Sequence, residues 1–185
     1  NYFWDGKDIV EKPFGDFSPK LNDNGWIVWS EKDGSGSEIF LYNGSTIKQL
    51  TDNDFYEEGQ VINNHGHVAW IRNPPENTDI MFYDGSDVIN LTESLNITYS
   101  CYLRINNKGQ LTWYDYNSSD QDHDVYLYDG SNVINLTKEN DLIDQASEIN
   151  NHGHVVYHGD DGSDFEIFLY NGTKTEQITY NEYND

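Results

Sequence analysis

Short apolar runs and polar turns succeed one another along the chain, and the same succession returns four times. One recurring turn has the form Ile/Leu-Asn-x-x-Gly-x-apolar: Leu21-Asn22-Asp23-Asn24-Gly25, Ile62-Asn63-Asn64-His65-Gly66, Ile105-Asn106-Asn107-Lys108-Gly109 and Ile149-Asn150-Asn151-His152-Gly153. Its glycines stand 41, 43 and 44 residues apart. A fixed period of this size marks an array of supersecondary units, each too small to bury its apolar face alone. Four residues beyond each glycine comes a large ring, Trp29, Trp70, Trp113 or Tyr157. A ring at one fixed place in every unit predicts a core position packed between units.

A second anchor follows a loop of variable length: Glu38-Ile39-Phe40-Leu41-Tyr42-Asn43-Gly44, Asp79-Ile80-Met81-Phe82-Tyr83-Asp84-Gly85, Asp124-Val125-Tyr126-Leu127-Tyr128-Asp129-Gly130 and Glu166-Ile167-Phe168-Leu169-Tyr170-Asn171-Gly172. An apolar run ending in Asn-Gly or Asp-Gly predicts a hairpin closed by a type I′ turn, whose two central positions both need positive φ. Each unit then closes on a short strand at a constant offset, ending Leu50-Thr51, Leu91-Thr92, Leu136-Thr137 or Ile178-Thr179. Every repeat thus predicts four strands. The repeats fall at about 14–52, 53–93, 94–138 and 139–185. A partial one occupies about 1–13, where Tyr2-Phe3-Trp4-Asp5-Gly6 matches the end of a third strand and Lys7 to Lys12 supply a fourth.

Four antiparallel strands per period are what a propeller blade requires, since each twisted sheet buries both faces against its neighbours. The expectation is an all-β chain: a β-propeller, or an open propeller-like array, of four full blades and a half-blade in one domain over residues 1–185. The pattern resembles the TolB-like, WD40-like propeller repeat, in which an aromatic-bearing strand leads to an acidic residue, an apolar strand and a terminal Leu-Thr. That family includes partner-binding modules, peptidase accessory domains and lyases, so the resemblance implies a fold and leaves function open. In those repeats a proline commonly stands in the first turn; Asn22, Asn63, Asn106 and Asn150 start it here. A blade short of two strands predicts either a longer polypeptide that completes the ring or self-association through open terminal blades.

Composition narrows the picture. Hydrophobic residues make up only 36% of the chain, but 15% are aromatic, so rings supply burial that aliphatics normally supply. Alanine occurs only at Ala69 and Ala146 and methionine only at Met81, which together with the many Tyr, Val, Ile, Thr, Asn and Gly residues predicts almost no helix. A formal charge of −23 repels phosphate backbones and argues against nucleic acid as a partner. Cys101 is the single cysteine, so no intrachain disulfide forms, and no apolar run is long enough to span a bilayer as a helix.

Candidate chemistry gathers in the variable loops and inter-blade connections, which share the end of the disc opposite the two glycine turns. They concentrate Asp33, Asp54, Glu57, Glu58, Asp120, Asp122, Asp160, Asp161 and Asp164. Calcium is the candidate cofactor for such a face, although no loop carries the full Asp-x-Asp/Asn-x-Asp/Asn-Gly spacing; a solvated acidic surface is the alternative. The recurring acid at Glu38, Asp79, Asp124 and Glu166 holds one place in every repeat, which predicts a structural bond at the blade entrance, since a catalytic residue is needed once. His65-Gly66-His67 and His152-Gly153-His154 put pairs of imidazoles two residues apart, a spacing that places both on one face of a strand and suits a metal. The other two repeats carry Asn24 and Trp26, and Lys108 and Gln110, at those positions, which reads as a tolerant exposed turn. Asn-x-Ser/Thr triplets at Asn43, Asn90, Asn96, Asn117, Asn135 and Asn171 are glycan acceptors in a secreted chain, or the chance product of an Asn-, Ser- and Thr-rich sequence.

Repetition without a unique catalytic constellation points to a non-catalytic secreted, cell-surface or periplasmic module that contacts protein or carbohydrate through its loops. A metal-dependent polysaccharide lyase or hydrolase fragment and a structural array protein are the alternatives, the first resting on the paired histidines.

Overall fold

The computed structural model describes residues 2–4, 9–11, 17–34, 36–74, 77–95, 99–117, 122–138 and 143–180. All its regular structure is β. The first blade comprises β3 (Phe17–Leu21), β4 (Ile27–Asp33), β5 (Gly36–Tyr42) and β6 (Ile47–Gln49); the second, β7 (Tyr56–Ile62), β8 (Val68–Asn73), β9 (Asp79–Tyr83) and β10 (Val88–Asn90). The third holds β11 (Tyr99–Ile105), β12 (Leu111–Asn117), β13 (Asp122–Tyr128) and β14 (Val133–Asn135), and the fourth β15 (Asp144–Ile149), β16 (Val155–Asp160), β17 (Phe165–Tyr170) and β18 (Thr175–Gln177). Ahead of them β1 (Tyr2–Trp4) pairs antiparallel with β2 (Ile9–Glu11), the predicted half-blade. Within each blade the strands pair antiparallel in chain order, and one parallel pair, Ser37 with Tyr56, links the first two blades. The sheets do not close on one another, so the architecture is a propeller-like array with the first strands innermost and adjacent.

Burial is divided into layers between blades. Val28, Ile39 and Leu41 meet Val68, Trp70, Met81 and Tyr83 between the first and second; Ile71, Ile80 and Phe82 meet Leu103, Leu111 and Trp113 between the second and third; Val125 and Leu127 meet Val155 and Tyr157 between the third and fourth. Three of the recurring rings, Trp70, Trp113 and Tyr157, sit in these layers, and Trp29 is buried on the first blade; each lies opposite one residue of the third strand: Trp29 opposite Phe40, Trp70 opposite Met81, Trp113 opposite Tyr126 and Tyr157 opposite Phe168. Three of the four pairs are stacked with centroids 5.5 to 5.6 Å apart, and the fourth uses the chain's single methionine. Every ring also faces a bulge. Two residues of the innermost strand, Ser18-Pro19, Gly59-Gln60, Tyr102-Leu103 or Ala146-Ser147, oppose one ring-bearing residue, which makes room for the large side chain.

Both glycine turns lie at one end of the array, the turn end. Oδ1 of Asn22, Asn63, Asn106 and Asn150 accepts two amides of its own turn at 2.8 to 3.1 Å. Nδ2 of the first three donates to the carbonyl of the equivalent asparagine one blade on, at 2.8 to 2.9 Å. A second ladder runs beside it, from the amides of Asp23, Asn64 and Asn107 to Oδ1 of Asn64, Asn107 and Asn151. Proline has no carboxamide to make these bonds, which accounts for asparagine at this place.

The hairpins after the third strands differ from expectation. Gly44, Gly85, Gly130 and Gly172 have φ of 93° to 103°, but the preceding Asn or Asp does not, so the turn is not type I′. The connection is four residues long, and the Asn or Asp side chain makes up the difference by accepting two amides, as Asn43 Oδ1 does from Ser45 and Thr46. The Leu-Thr close of each repeat lies just past the last strand. There the threonine hydroxyl accepts the third-strand amide of Ile39, Ile80, Val125 or Ile167 at 2.8 to 3.1 Å.

Candidate functional site

Three of the four recurring acids are held by a bond within the fold, each to a different partner. Glu38 Oε1 accepts the amide of Asn53 in the connection to the next blade (3.0 Å), Asp79 pairs with Arg72 (2.5 Å), Asp124 Oδ1 accepts the Thr137 hydroxyl (2.8 Å), and Glu166 is fully buried. One of the residues predicted for the acidic loop face belongs with them. Glu57 is 1% exposed, because its carboxyl is taken up by the indole Nε1–H of Trp70 (2.5 Å) and by Asn53 Nδ2 (3.0 Å). Burial is the largest influence on it and pushes its pKa up to about 7, against the pull of those two bonds. Asp144 holds the same place in the fourth blade, buried beside Tyr157, whose hydroxyl is pushed up to about 12 by burial and by that carboxylate. In the third blade Ser100 stands there, and Trp113 Nε1 has no hydrogen-bond partner among the described residues.

Other predicted acids scatter. Asp120 lies outside the described residues, and so do the side chains of Asp33 and Asp122; Asp54 is exposed in a connection. Asp160 and Asp161 each cap an amide of their own loop, those of Gly162 and Ser163. Asp161, Asp164 and Glu166 bring one carboxylate oxygen each within 4.8 Å of one another, the one such grouping among the described residues. Three oxygens are at most half of the six to eight that calcium takes.

The histidine pairs are not brought together. His65 and His67 lie in and just after a turn rather than on a strand, with rings 6.0 Å apart, and His152 and His154 repeat the arrangement at 5.8 Å. His67 is wedged between blades: Nδ1 is 3.1 Å from Asn63 Nδ2, the ring meets Phe82 edge-on at 5.7 Å, and a Cβ on Gly109 of the next blade would come within 2.8 Å of it. Burial, followed by the neighbouring His65, lowers its pKa.

A cavity of about 580 Å³ opens along the innermost strands of three blades, from Tyr56 at the loop end to Lys20, Val61 and Arg104 two residues short of the turn asparagines. Its walls include Lys20, Lys32, Tyr56, Glu58, Tyr102 and Arg104. Bulges shape it: Ser18, Gly59 and Tyr102 take the first bulge position with φ of 40°, 65° and 55°, and Gln60 Nε2 ties the second strand to the Ser18 carbonyl at 3.0 Å. Tyr56 and Tyr102 leave 54% and 58% of their surface to solvent.

No protein-family profile and no curated protein sequence matches the chain. Solved structures do. The propeller domain of the Trilobed protease from Pyrococcus furiosus superposes with a TM-score of 0.65 at 15% identity, over 89% of this chain and 52% of that one. TolB from Acinetobacter baumannii gives 0.59 at 17% identity, over 88% and 43% respectively. The fold is a TolB-like β-propeller. An acylaminoacyl peptidase from Pyrococcus horikoshii contains a similar region, with a TM-score of 0.66 at 17% identity, over 96% of this chain and 29% of that one. This propeller chain therefore spans about half the length, or less, of these three structures.

Two features of the propeller escaped sequence reading. Glu57 and Asp144 lie six residues ahead of the turn asparagines Asn63 and Asn150, as Asp16 does ahead of Asn22, an alignment that marks them as a set. The basic residues of the cavity come from different blades, and nothing in their local sequence announces that they meet.

Proposed function

We infer that this propeller is a ligand-binding module, without a catalytic role of its own, whose recognition surface is the cavity along the innermost strands, open towards the variable loops. The observation that carries this reading is the cavity itself: a concave site of ligand size with two exposed tyrosine rings and a few convergent polar groups. Of the acids that repeat from blade to blade, Glu38, Asp79 and Asp124 are engaged in internal bonds, which speaks against them as reacting groups. A chain in the nidogen/laminin complex has the same fold, with a TM-score of 0.52 at 17% identity, and favours a module of this kind working at the cell surface or outside the cell. The test is a small-molecule screen by NMR, with binding expected to move the amides of 56–61 and 102–104. Hits confined to the turn end, or turnover of a polysaccharide or peptide by the pure chain, would sink the reading.

A further inference from the structure

Charge in the cavity runs against the charge of the molecule. The chain has ten basic and 33 acidic residues, yet Lys20, Lys32 and Arg104 line this one site. Of the acids on its wall, Glu58 accepts a hydrogen bond from Asn73 Nδ2 (2.8 Å), and Glu57 is buried and turned to Trp70 and Asn53. A cluster of cations in a strongly anionic protein makes a local attractive potential within a repelling field.

Tyr102 is the second observation. Its backbone is left-handed, where the equivalent residues of the first two blades are the small Ser18 and Gly59, and a bulky side chain in that region costs stability. The ring is nonetheless held in place, stacked on Tyr114 at 5.7 Å and 17°, with the Arg104 guanidinium carbon 5.9 Å from its centre. It is 58% exposed and forms part of the cavity wall.

Arg104 supplies the third. Its Nε donates to Glu148 Oε1 at 2.6 Å, with side chains 39% and 59% exposed. An exposed pair of this kind contributes little, so an incoming carboxylate can take the place of Glu148 at small cost.

On the reading of the cavity as the recognition site, we propose that it binds a small monocarboxylate with a flat face, the carboxylate on Arg104 with Lys20 and Lys32 around it and the flat part against the exposed part of the Tyr102 ring. A dianionic phosphate suffers the repulsion of the −23 charge twice over, which favours the monoanion.

Benzoate and cyclohexanecarboxylate are the probes, with benzamide and phenyl phosphate as controls, followed by NMR titration of the whole chain. Both carboxylates are expected to bind saturably at the cavity, with benzamide and phenyl phosphate about fivefold weaker, the upper range for an exposed ion pair. Arg104→Gln is expected to weaken benzoate by a similar factor. Tyr102→Gly is the variant that guards against misfolding, because glycine suits this backbone as Gly59 does: the melting temperature should hold while benzoate binding falls. Equal binding of benzoate and benzamide would overturn the carboxylate assignment while leaving the binding module standing. Tighter binding of phenyl phosphate, or unchanged benzoate affinity in both variants, would also overturn it. Failure of every probe would do the same, and hits mapped elsewhere by the wider screen would then fall on the module reading itself.

Discussion

The two ends of the propeller are built on opposite terms. At the turn end an asparagine makes the same bonds in every blade, two to its own turn and, in three blades, one to the carbonyl of the next. At the loop end equivalent positions differ: the first bulge residue is Ser18, Gly59 or Tyr102, and the acid beside the core ring is Glu57 in one blade and Asp144 in another. Chemistry that repeats holds the blades together. Ser18, Gly59 and Tyr102, where the repeat is broken, face the cavity proposed as the recognition site.

The comparison breaks most severely at Asn63. Alanine there removes the acceptor of the His65 and His67 amides and the donor to Asn106 O in a residue only 4% exposed. Urea denaturation should show a loss of about 3 kcal/mol, and Asn63→Asp, which keeps the acceptor, a loss of about half that. A near-neutral Asn63→Ala would mean that burial alone, and not the ladder, joins the blades.

Glu57 offers the next largest effect. Its folded pKa is raised above the unfolded value, so the folded state holds the proton more tightly, and this contribution to stability weakens as pH climbs from about 4.5 towards 7. His67, with its pKa lowered, works the other way: its contribution is present above the ordinary histidine value and lost as pH falls. Comparing wild type with Glu57→Gln at each pH isolates the glutamate. The variant should gain about 2 kcal/mol on wild type between pH 5 and pH 8 by chemical denaturation, and parallel curves would show the carboxyl ionised and at ease in its site.

Much of this was legible in the sequence because a repeat reports the same packing four times: the rings Trp29, Trp70, Trp113 and Tyr157 are all buried where their spacing put them. What a single-strand reading could not supply was partners 41 to 44 residues away, so the asparagines were visible and their ladder was not. Glu57 was placed on a solvated face because its neighbours Asp54 and Glu58 are there; only contact with Trp70 separates it from them. The glycan-like triplets at Asn90 and Asn135 also have an internal use, each Oδ1 accepting the amide of the threonine two residues on.

Smaller effects sharpen the picture at the loop end. Ser18→Gly removes a side chain from a φ of 40° and should raise stability by about 0.5 kcal/mol, after the added freedom of the unfolded chain is subtracted. Calcium should raise the melting temperature no more than sodium or magnesium salts at matched ionic strength, since Asp161, Asp164 and Glu166 supply too few oxygens. A calcium-specific rise abolished by Asp161→Asn would identify a site there.

The asparagine ladder has a consequence for how such chains are assembled. Each turn recognises its neighbour through a main-chain carbonyl, which any residue provides, and through one side-chain oxygen at Asn64, Asn107 or Asn151. A unit with this coupling is a modular part: it accepts any successor bearing the same turn, with no matched change on the other side. Duplicating residues 53–93 in tandem should therefore lengthen the array without redesign, and loops can be exchanged between units while the joints remain standard.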